Sequence, residues 1–127
     1  MSVTITIRPA GDGVFERGSP VTGEVELSCQ GRLSHSGVKL ELLWETSGKG
    51  TRDSKVAREI DLLPPGELGI AMAGPGEQST RVPFSVPGVE APLTYHGTLI
   101  KIEWLVRVRV LRKLRFDPKN EAGVVIV

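Results

Sequence analysis

A long run of alternating residues near the C-terminus constrains the fold of this chain more than any other feature. Its apolar positions are Ile100, Ile102, Trp104, Val106, Val108 and Val110, and Lys101, Glu103, Leu105, Arg107 and Arg109 lie between them. Successive side chains of a strand point to opposite faces of a sheet. The spacing of two therefore predicts a long central strand from Gly97 to Leu111 with one buried face.

The same period of two recurs along the rest of the chain. Further strands are predicted at Val3–Ile7, Val21–Leu27, Val38–Trp44, Arg52–Leu63, Thr80–Phe84 and Gly123–Val127. Pro83 has no N–H group to donate to a ladder, so its strand is expected either at a sheet edge or with a bulge. The structure of residues 64–77 stays undecided. About seven strands with turns between them predict an all-β fold, an immunoglobulin-like two-sheet antiparallel β-sandwich.

Length and charge limit the classes of function. A chain of 127 residues fits one domain, here residues 1–127, and its net charge of +1 gives no overall field for nucleic acid. Cys29 is the only cysteine, which excludes an intramolecular disulfide. No apolar stretch reaches the length of a membrane span. We therefore expect a cytoplasmic protein without integral membrane association or nucleic-acid binding.

Two sequence patches resemble the arrestin family. Residues 15–27, FERGSPVTGEVEL, are similar to the glycine turn and following strand that open the arrestin fold. Residues 82–87, VPFSVP, precede residues 92–97, PLTYHG, and then residues 102–108, IEWLVRV, in an order that resembles the arrestin N-terminal domain. The resemblance implies one arrestin-like sandwich, of the kind also found in retromer subunits and bacterial sporulation-control proteins.

The resemblance also implies work by protein contact rather than by chemistry. Phosphate-sensing arrestins carry paired lysines in the first strand, whereas Arg8 is the only cation here between Ser2 and Arg8. Receptor-phosphate sensing is therefore not expected. Where this chain ends at Val127, a family member would continue into a second domain.

Candidate catalytic and metal-binding residues are few. His35 and His96 fall in two different predicted turns, and neither has a Ser or Cys nucleophile at a recognisable spacing. They are interpreted as surface histidines, and Cys29 as a filler at a strand end. Two His and one Cys at such scattered positions do not predict a metal site. We expect no catalytic residue, no metal and no cofactor.

The outer side of the predicted sheet carries the candidate contact residues. The parity that buries Trp44 and Trp104 in one core places three leucines outside, together with two arginines of the long strand. This candidate site consists of Leu43, Leu105, Arg107, Arg109 and Leu111. Glu41 and Glu45 on the neighbouring strand should neutralise the arginines. The leucines either form an exposed contact patch or are covered by residues 67–73.

These observations favour a non-enzymatic interaction module that binds a protein partner, or a second copy of itself, through a sheet face or an edge strand. The alternative is a carbohydrate or small-ligand module, because β-sandwiches often carry such sites in their loops. A sugar site usually needs exposed aromatic side chains. Only Phe15, Tyr95 and Phe116 could supply them if both tryptophans lie in the core.

Overall fold

The computed structural model describes residues 3–30, 33–48, 50–68, 77–90, 92–97, 99–112 and 117–127, and eleven strands lie within these ranges. The strands are β1 Val3–Pro9, β2 Val14–Phe15, β3 Val21–Gln30, β4 Leu33–His35, β5 Gly37–Gly48, β6 Thr51–Leu63, β7 Gly66–Leu68, β8 Glu77–Val86, β9 Tyr95–His96, β10 Lys101–Leu111 and β11 Lys119–Ile126. The all-β fold expected from the alternation is confirmed.

Two sheets enclose the core. The larger sheet has six strands, in the order β2-β11-β10-β5-β6 with β9 attached to β10, and the smaller sheet has the order β1-β3-β8. Neighbouring strands run antiparallel except β2, which pairs in parallel with β11. A separate two-stranded sheet joins β4 to β7. The long alternating strand β10 is central, as its two-sided pairing with β5 and β11 requires.

The core lies against one face of β10. Trp104, Val106, Val108 and Val110 are almost fully buried there. The inward residues of β5 pair with them in register, so that Trp104 lies opposite Trp44. Trp44 is partly buried and packs on this core, and the Trp104 indole N–H donates a hydrogen bond to the Pro92 carbonyl at 2.8 Å.

Several local predictions are confirmed by the sheet topology. Residues 52–63 form a strand, and Pro83 lies in β8 at an edge of the three-stranded sheet. On β3, a Cβ atom at Gly23 would collide with the Phe84 ring and the Arg8 carbonyl oxygen. Only glycine allows β1 and β8 to approach β3 so closely at this point.

Other predictions fail where the elements are short or irregular. The sequence indicated about seven strands, and the additional elements β2, β4, β7 and β9 have only two or three residues, too few to show a period. Ile100 was placed on the buried face of the long strand, but it precedes β10 and is exposed. The β5–β6 ladder has two register shifts, between Val38 and Lys39 and between Leu42 and Leu43.

Candidate protein-interaction face

The six-stranded sheet has an outer face, which is the face turned away from the core. Strand register places the outward residues of β10 in rows with those of its neighbours, since paired residues share a face. Leu105 pairs with Leu43 on β5, and Arg107 pairs with Glu41 on β5 and with Glu121 on β11. The sequence-based expectation that these two strands are neighbours is correct.

A network of ion pairs covers one half of the outer face. The Arg107 guanidinium lies 3.2 Å from a Glu121 carboxylate oxygen and 3.9 Å from Glu41, while Arg109 Nε lies 3.2 Å from Glu41 Oε1. On the other side of Glu41, Lys39 Nζ contacts Glu59 at 2.8 Å. The arginines of the candidate site are therefore neutralised within the chain by Glu41, as predicted, and by Glu121. The prediction is wrong for Glu45, whose register partner on β10 is Glu103 rather than an arginine.

Glu41 is the centre of this network, and its burial was not predicted. Its side chain lies on the outer face, yet the residue is only 5% exposed. Arg109 Nε and Glu41 Oε1 face each other without the alignment of a hydrogen bond. The attraction between them is therefore mainly that of two charges in a poorly hydrated place.

Lys39 and Glu59 form the exposed edge of the network. The hydrogen bond between them raises the pKa of Lys39 and lowers the pKa of Glu59. Both side chains retain substantial contact with water, so this pair adds little to stability.

The two leucines of the candidate site that pair in register differ in exposure. Leu105 is partly buried, whereas Leu43 is only 1% exposed although it lies outside the main core cluster. The expectation of an open patch at Leu43 is wrong. The alternative cover, residues 67–73, is described only as far as Leu68, where β7 pairs with β4, and the remainder lies outside the described residues.

An apolar stripe nevertheless crosses the outer face. Register places Val56 beside Leu43, and on the other side of Leu105 lies the exposed Gly123, which has no side chain to cover it. Beyond Leu105 the stripe continues diagonally to β11 and then to β2. Its members are Val14, Val125, Leu105, Leu43 and Val56. Val14 and Val56, at its two ends, are the most exposed.

Leu111 does not join this stripe. It lies at the far end of β10, separated from Leu105 by the rows of Arg107 and Arg109. There it lines a cleft of about 540 Å³. The other lining residues are Ser36, Gly37, Lys39, Asp61, Leu63, Pro64 and Pro65. The structure thus brings together four of the five predicted site residues and separates the fifth.

One feature of the outer face was missed in the sequence. Glu103 and Glu45 are direct register partners, so two carboxylates face each other across β10 and β5. Neither carboxylate takes part in an ion pair among the described residues. Like charges directly opposite each other are unfavourable. The signal was present, because both residues follow the same parity as Leu43 and Leu105.

The two histidines are not equivalent. His96 is exposed in β9, in agreement with its interpretation as a surface residue. His35 is buried in β4, so that interpretation is wrong for it: its Nδ1 accepts a hydrogen bond from the Gly37 N–H at 3.0 Å. Burial lowers the pKa of His35.

The described ranges contain no group of three or more His, Cys, Asp or Glu side chains placed to hold a metal ion. Cys29 is buried in β3 as part of the core. Within the same ranges there is no helix that could cross a membrane.

A sandwich of this topology, with a long central strand in its larger sheet, is an arrestin-like fold. The structure of the sporulation control protein Spo0M from Bacillus subtilis superposes on 99% of this chain with a TM-score of 0.76. The sequences are 12% identical, and the match covers 49% of the Spo0M chain. This likeness defines the fold.

Sequence comparison defines the family. The family model for vacuolar protein sorting-associated protein 26, Vps26, matches residues 8–126, and the chain belongs to this family. It is 28% identical over 120 residues to vacuolar protein sorting-associated protein 26 of Caenorhabditis elegans. The match covers 89% of this chain and 31% of that protein. The resemblance to arrestins seen in the sequence is thus confirmed.

Proposed function

We propose that this chain is a non-enzymatic protein-interaction module that acts as an adaptor and binds its partner through the outer face of the six-stranded sheet. The observation that carries the proposal is the apolar stripe lying beside the facing carboxylates of Glu45 and Glu103. The Caenorhabditis elegans relative is named for vacuolar protein sorting. Its name supports a role in protein sorting for this chain.

The chemistry of the face indicates the chemistry of the partner. Leu105 and Val56 offer apolar surface that remains in contact with water, and burying it would favour association. Glu45 and Glu103 would gain from an approaching cation, since each lacks an ion pair among the described residues. The favoured partner surface therefore presents an apolar side chain flanked by Lys or Arg.

The remaining residues of the site would support this contact. Arg107 and Arg109, held by Glu41, keep the central rows of the sheet ordered before binding, which reduces the entropy cost of association. Leu43 is buried beside Leu105 and would support the contact without touching water itself. Leu111 would extend the contact only for a partner long enough to reach its cleft.

A second copy of the chain is one possible partner, because a two-fold contact would place the same stripe on both sides. The cytoplasmic location and the single-domain organisation of residues 1–127 remain predictions. The carbohydrate alternative gains no support from the cleft at Leu111, since none of the lining residues that the structure describes is aromatic.

The proposal is tested by placing charge on the stripe. The double variant Val56→Lys, Leu105→Lys should keep the fold. Val56 is exposed, and the aliphatic part of a lysine at position 105 can lie along the partly buried site of Leu105. Thr4→Lys, an exposed change on the smaller sheet, is the matched control. Circular dichroism checks the fold, and quantitative capture from the native host compares the bound proteins.

A partner that is retained by the wild type and by Thr4→Lys but lost by the stripe variant would support the proposal. Sedimentation equilibrium of the same three proteins reports whether that partner is a second copy. A folded stripe variant that keeps every partner and the same association state would contradict the proposal.

A further inference from the structure

Exposed apolar side chains are concentrated in one short segment away from the outer-face stripe. Four of the seven large apolar residues that are exposed in the described part of the chain lie between positions 93 and 100. They are Leu93, Tyr95, Leu99 and Ile100. Leu99 is 67% exposed and Tyr95 is 53% exposed. We call the described residues 93–97 and 99–101 the tip hairpin, since β9 pairs with the start of β10 there.

Hydrogen bonds hold the base of the tip hairpin. The Trp104 indole fixes the Pro92 carbonyl just before it. The Thr94 N–H donates to the Ile126 carbonyl and its Oγ1 accepts from the Ile126 N–H, both at 2.9 Å. The segment is therefore tied to the core strand β10 and to the end of β11. Its apolar side chains are displayed on an ordered support.

The turn itself is also built closely. The Gly97 N–H donates to the Ile100 carbonyl at 2.9 Å, and a Cβ atom at Gly97 would collide with the Tyr95 ring. A Cβ atom at Gly48 would likewise collide with the Leu99 carbonyl oxygen. Glycine at both positions lets the turn fold tightly, with an aromatic ring against it and the β5–β6 hairpin beside it.

Two of the three charged residues in the two ladder rows next to the tip are basic, namely Lys101 and Arg52, and the third is Asp53. Lys101 pairs in register with His96 and, on its other side, with Ser47, which in turn pairs with Arg52. Lys101, His96 and Arg52 are all exposed. The acidic pair Glu45 and Glu103 lies one outward row further from the tip. On the outward face, a surface that approaches the tip therefore meets Lys101 and Arg52 before the acidic pair, while Asp53 lies on the opposite face in the row of Tyr95.

We propose that the tip hairpin inserts into the interface of an anionic membrane and holds the protein on the lipid surface. Leu99 and Ile100 would enter the acyl boundary, and the Tyr95 ring would lie at the level of the headgroups, where aromatic side chains are favoured. Lys101 and Arg52 would contact anionic headgroups directly behind the apolar tip. Exposed apolar side chains of a short turn can enter the acyl boundary of a deformable lipid surface.

The experiment measures binding of the purified full chain to vesicles of equimolar phosphatidylcholine and phosphatidylserine by co-sedimentation. Replacing the exposed leucine, Leu99→Asp, should weaken vesicle binding about tenfold or more, because one leucine side chain no longer enters the apolar boundary. Val56→Asp, a similar change on the outer face, is the control and should bind as the wild type does. Vesicles of phosphatidylcholine alone should bind more weakly, since the cations then lose their partners.

A wild-type protein that does not bind the mixed vesicles, or a folded Leu99→Asp variant that binds as well as the wild type, would overturn the proposal. If Leu99→Asp instead loses a protein partner while vesicles are never bound, the tip is a protein contact and the membrane assignment is wrong. The stripe variant Val56→Lys with Leu105→Lys should still bind vesicles. The two proposals can thus fail separately.

Discussion

Leu43 and Leu99 are the same residue type, and both lie outside the main core cluster, yet they have opposite environments. Leu43 is 1% exposed, with a strand on each side and charged rows before and after it. Leu99 is 67% exposed in a turn that is closed by the hydrogen bond from the Gly97 N–H to the Ile100 carbonyl. The sheet therefore has a second, smaller region of burial on its outer face, and the tip hairpin has none.

The difference shows that orientation away from the core does not by itself determine exposure in a sheet of this kind. At Leu43, strands pair on both sides, so outward side chains of β10 and β6 flank a residue that points outward. Leu99 and Ile100 lie outside the printed ladder pairs and are exposed. Matched substitutions of buried and exposed residues of one type test this account directly.

The largest difference is expected for the leucines themselves. Leu43→Ala should lower the free energy of unfolding by about 2 to 5 kcal/mol, because it leaves a cavity beneath the outer face. Leu99→Ala should change it by no more than about 0.5 kcal/mol. Urea denaturation of both variants measures the two values. Similar small losses for both leucines would show that the outer face is open at Leu43.

The second comparison uses the glutamates. Glu41→Gln should cost about 1 to 3 kcal/mol, because it leaves Arg107 and Arg109 without the carboxylate between them, although both arginines keep some contact with water. Glu59→Gln, which removes the exposed pair with Lys39, should cost much less, because water screens this pair. Urea denaturation at low and high salt measures both. An equal cost for the two changes would contradict the assignment of Glu41 as the centre of the network.

The third comparison is between the two histidines, and it concerns the pH dependence of stability. Burial lowers the pKa of His35 from its ordinary value near 6.5, so the unfolded chain binds a proton more readily than the folded protein. The stability that depends on neutral His35 is present above pH 6.5 and is lost as the pH falls through the lowered pKa. His35→Asn should remove this part of the pH dependence, measured by thermal unfolding between pH 7 and pH 4.

His96→Asn is the matched control for this experiment, because His96 is exposed in β9. It should keep the wild-type profile of melting temperature against pH. A His35→Asn variant with the wild-type profile would show that the buried imidazole does not contribute to the pH dependence of stability.

The smallest expected effect is an increase in stability. Glu45→Gln removes one of two facing carboxylates and should raise the free energy of unfolding by about 0.2 to 1 kcal/mol. Glu24→Gln, which removes an exposed contact with Arg8, should give no gain. Chemical denaturation compares the two variants. A loss of stability in Glu45→Gln would mean that this carboxylate has a stabilising neighbour.

Alternation alone predicted much of this arrangement. The parity of β10 and β5 correctly placed Leu105, Leu43, Arg107 and Glu41 on the same outer face, because a period of two fixes which residues share a face. It could not predict the burial of Leu43 or Glu41, because burial on the outer face depends on tertiary packing and not on the parity of a strand.

Short elements limited the prediction elsewhere. His35 lies in a three-residue strand, and the exposure of Ile100 depends on where β10 begins, one residue later than the apolar alternation. Such boundaries are set by the hydrogen bonds of the turn rather than by a pattern of side chains.

The two register shifts between β5 and β6 affect how the molecule behaves at high concentration. Among the described strands, β6 is at an edge of the six-stranded sheet, and a flat edge strand of this length would favour pairing with further chains. Register shifts of this kind locally disrupt an edge strand, and the charged side chains of β6 between Arg52 and Asp61 oppose pairing with another strand. Growth by strand addition is thereby discouraged, which leaves the face and the tip, rather than this edge, available for reversible contacts.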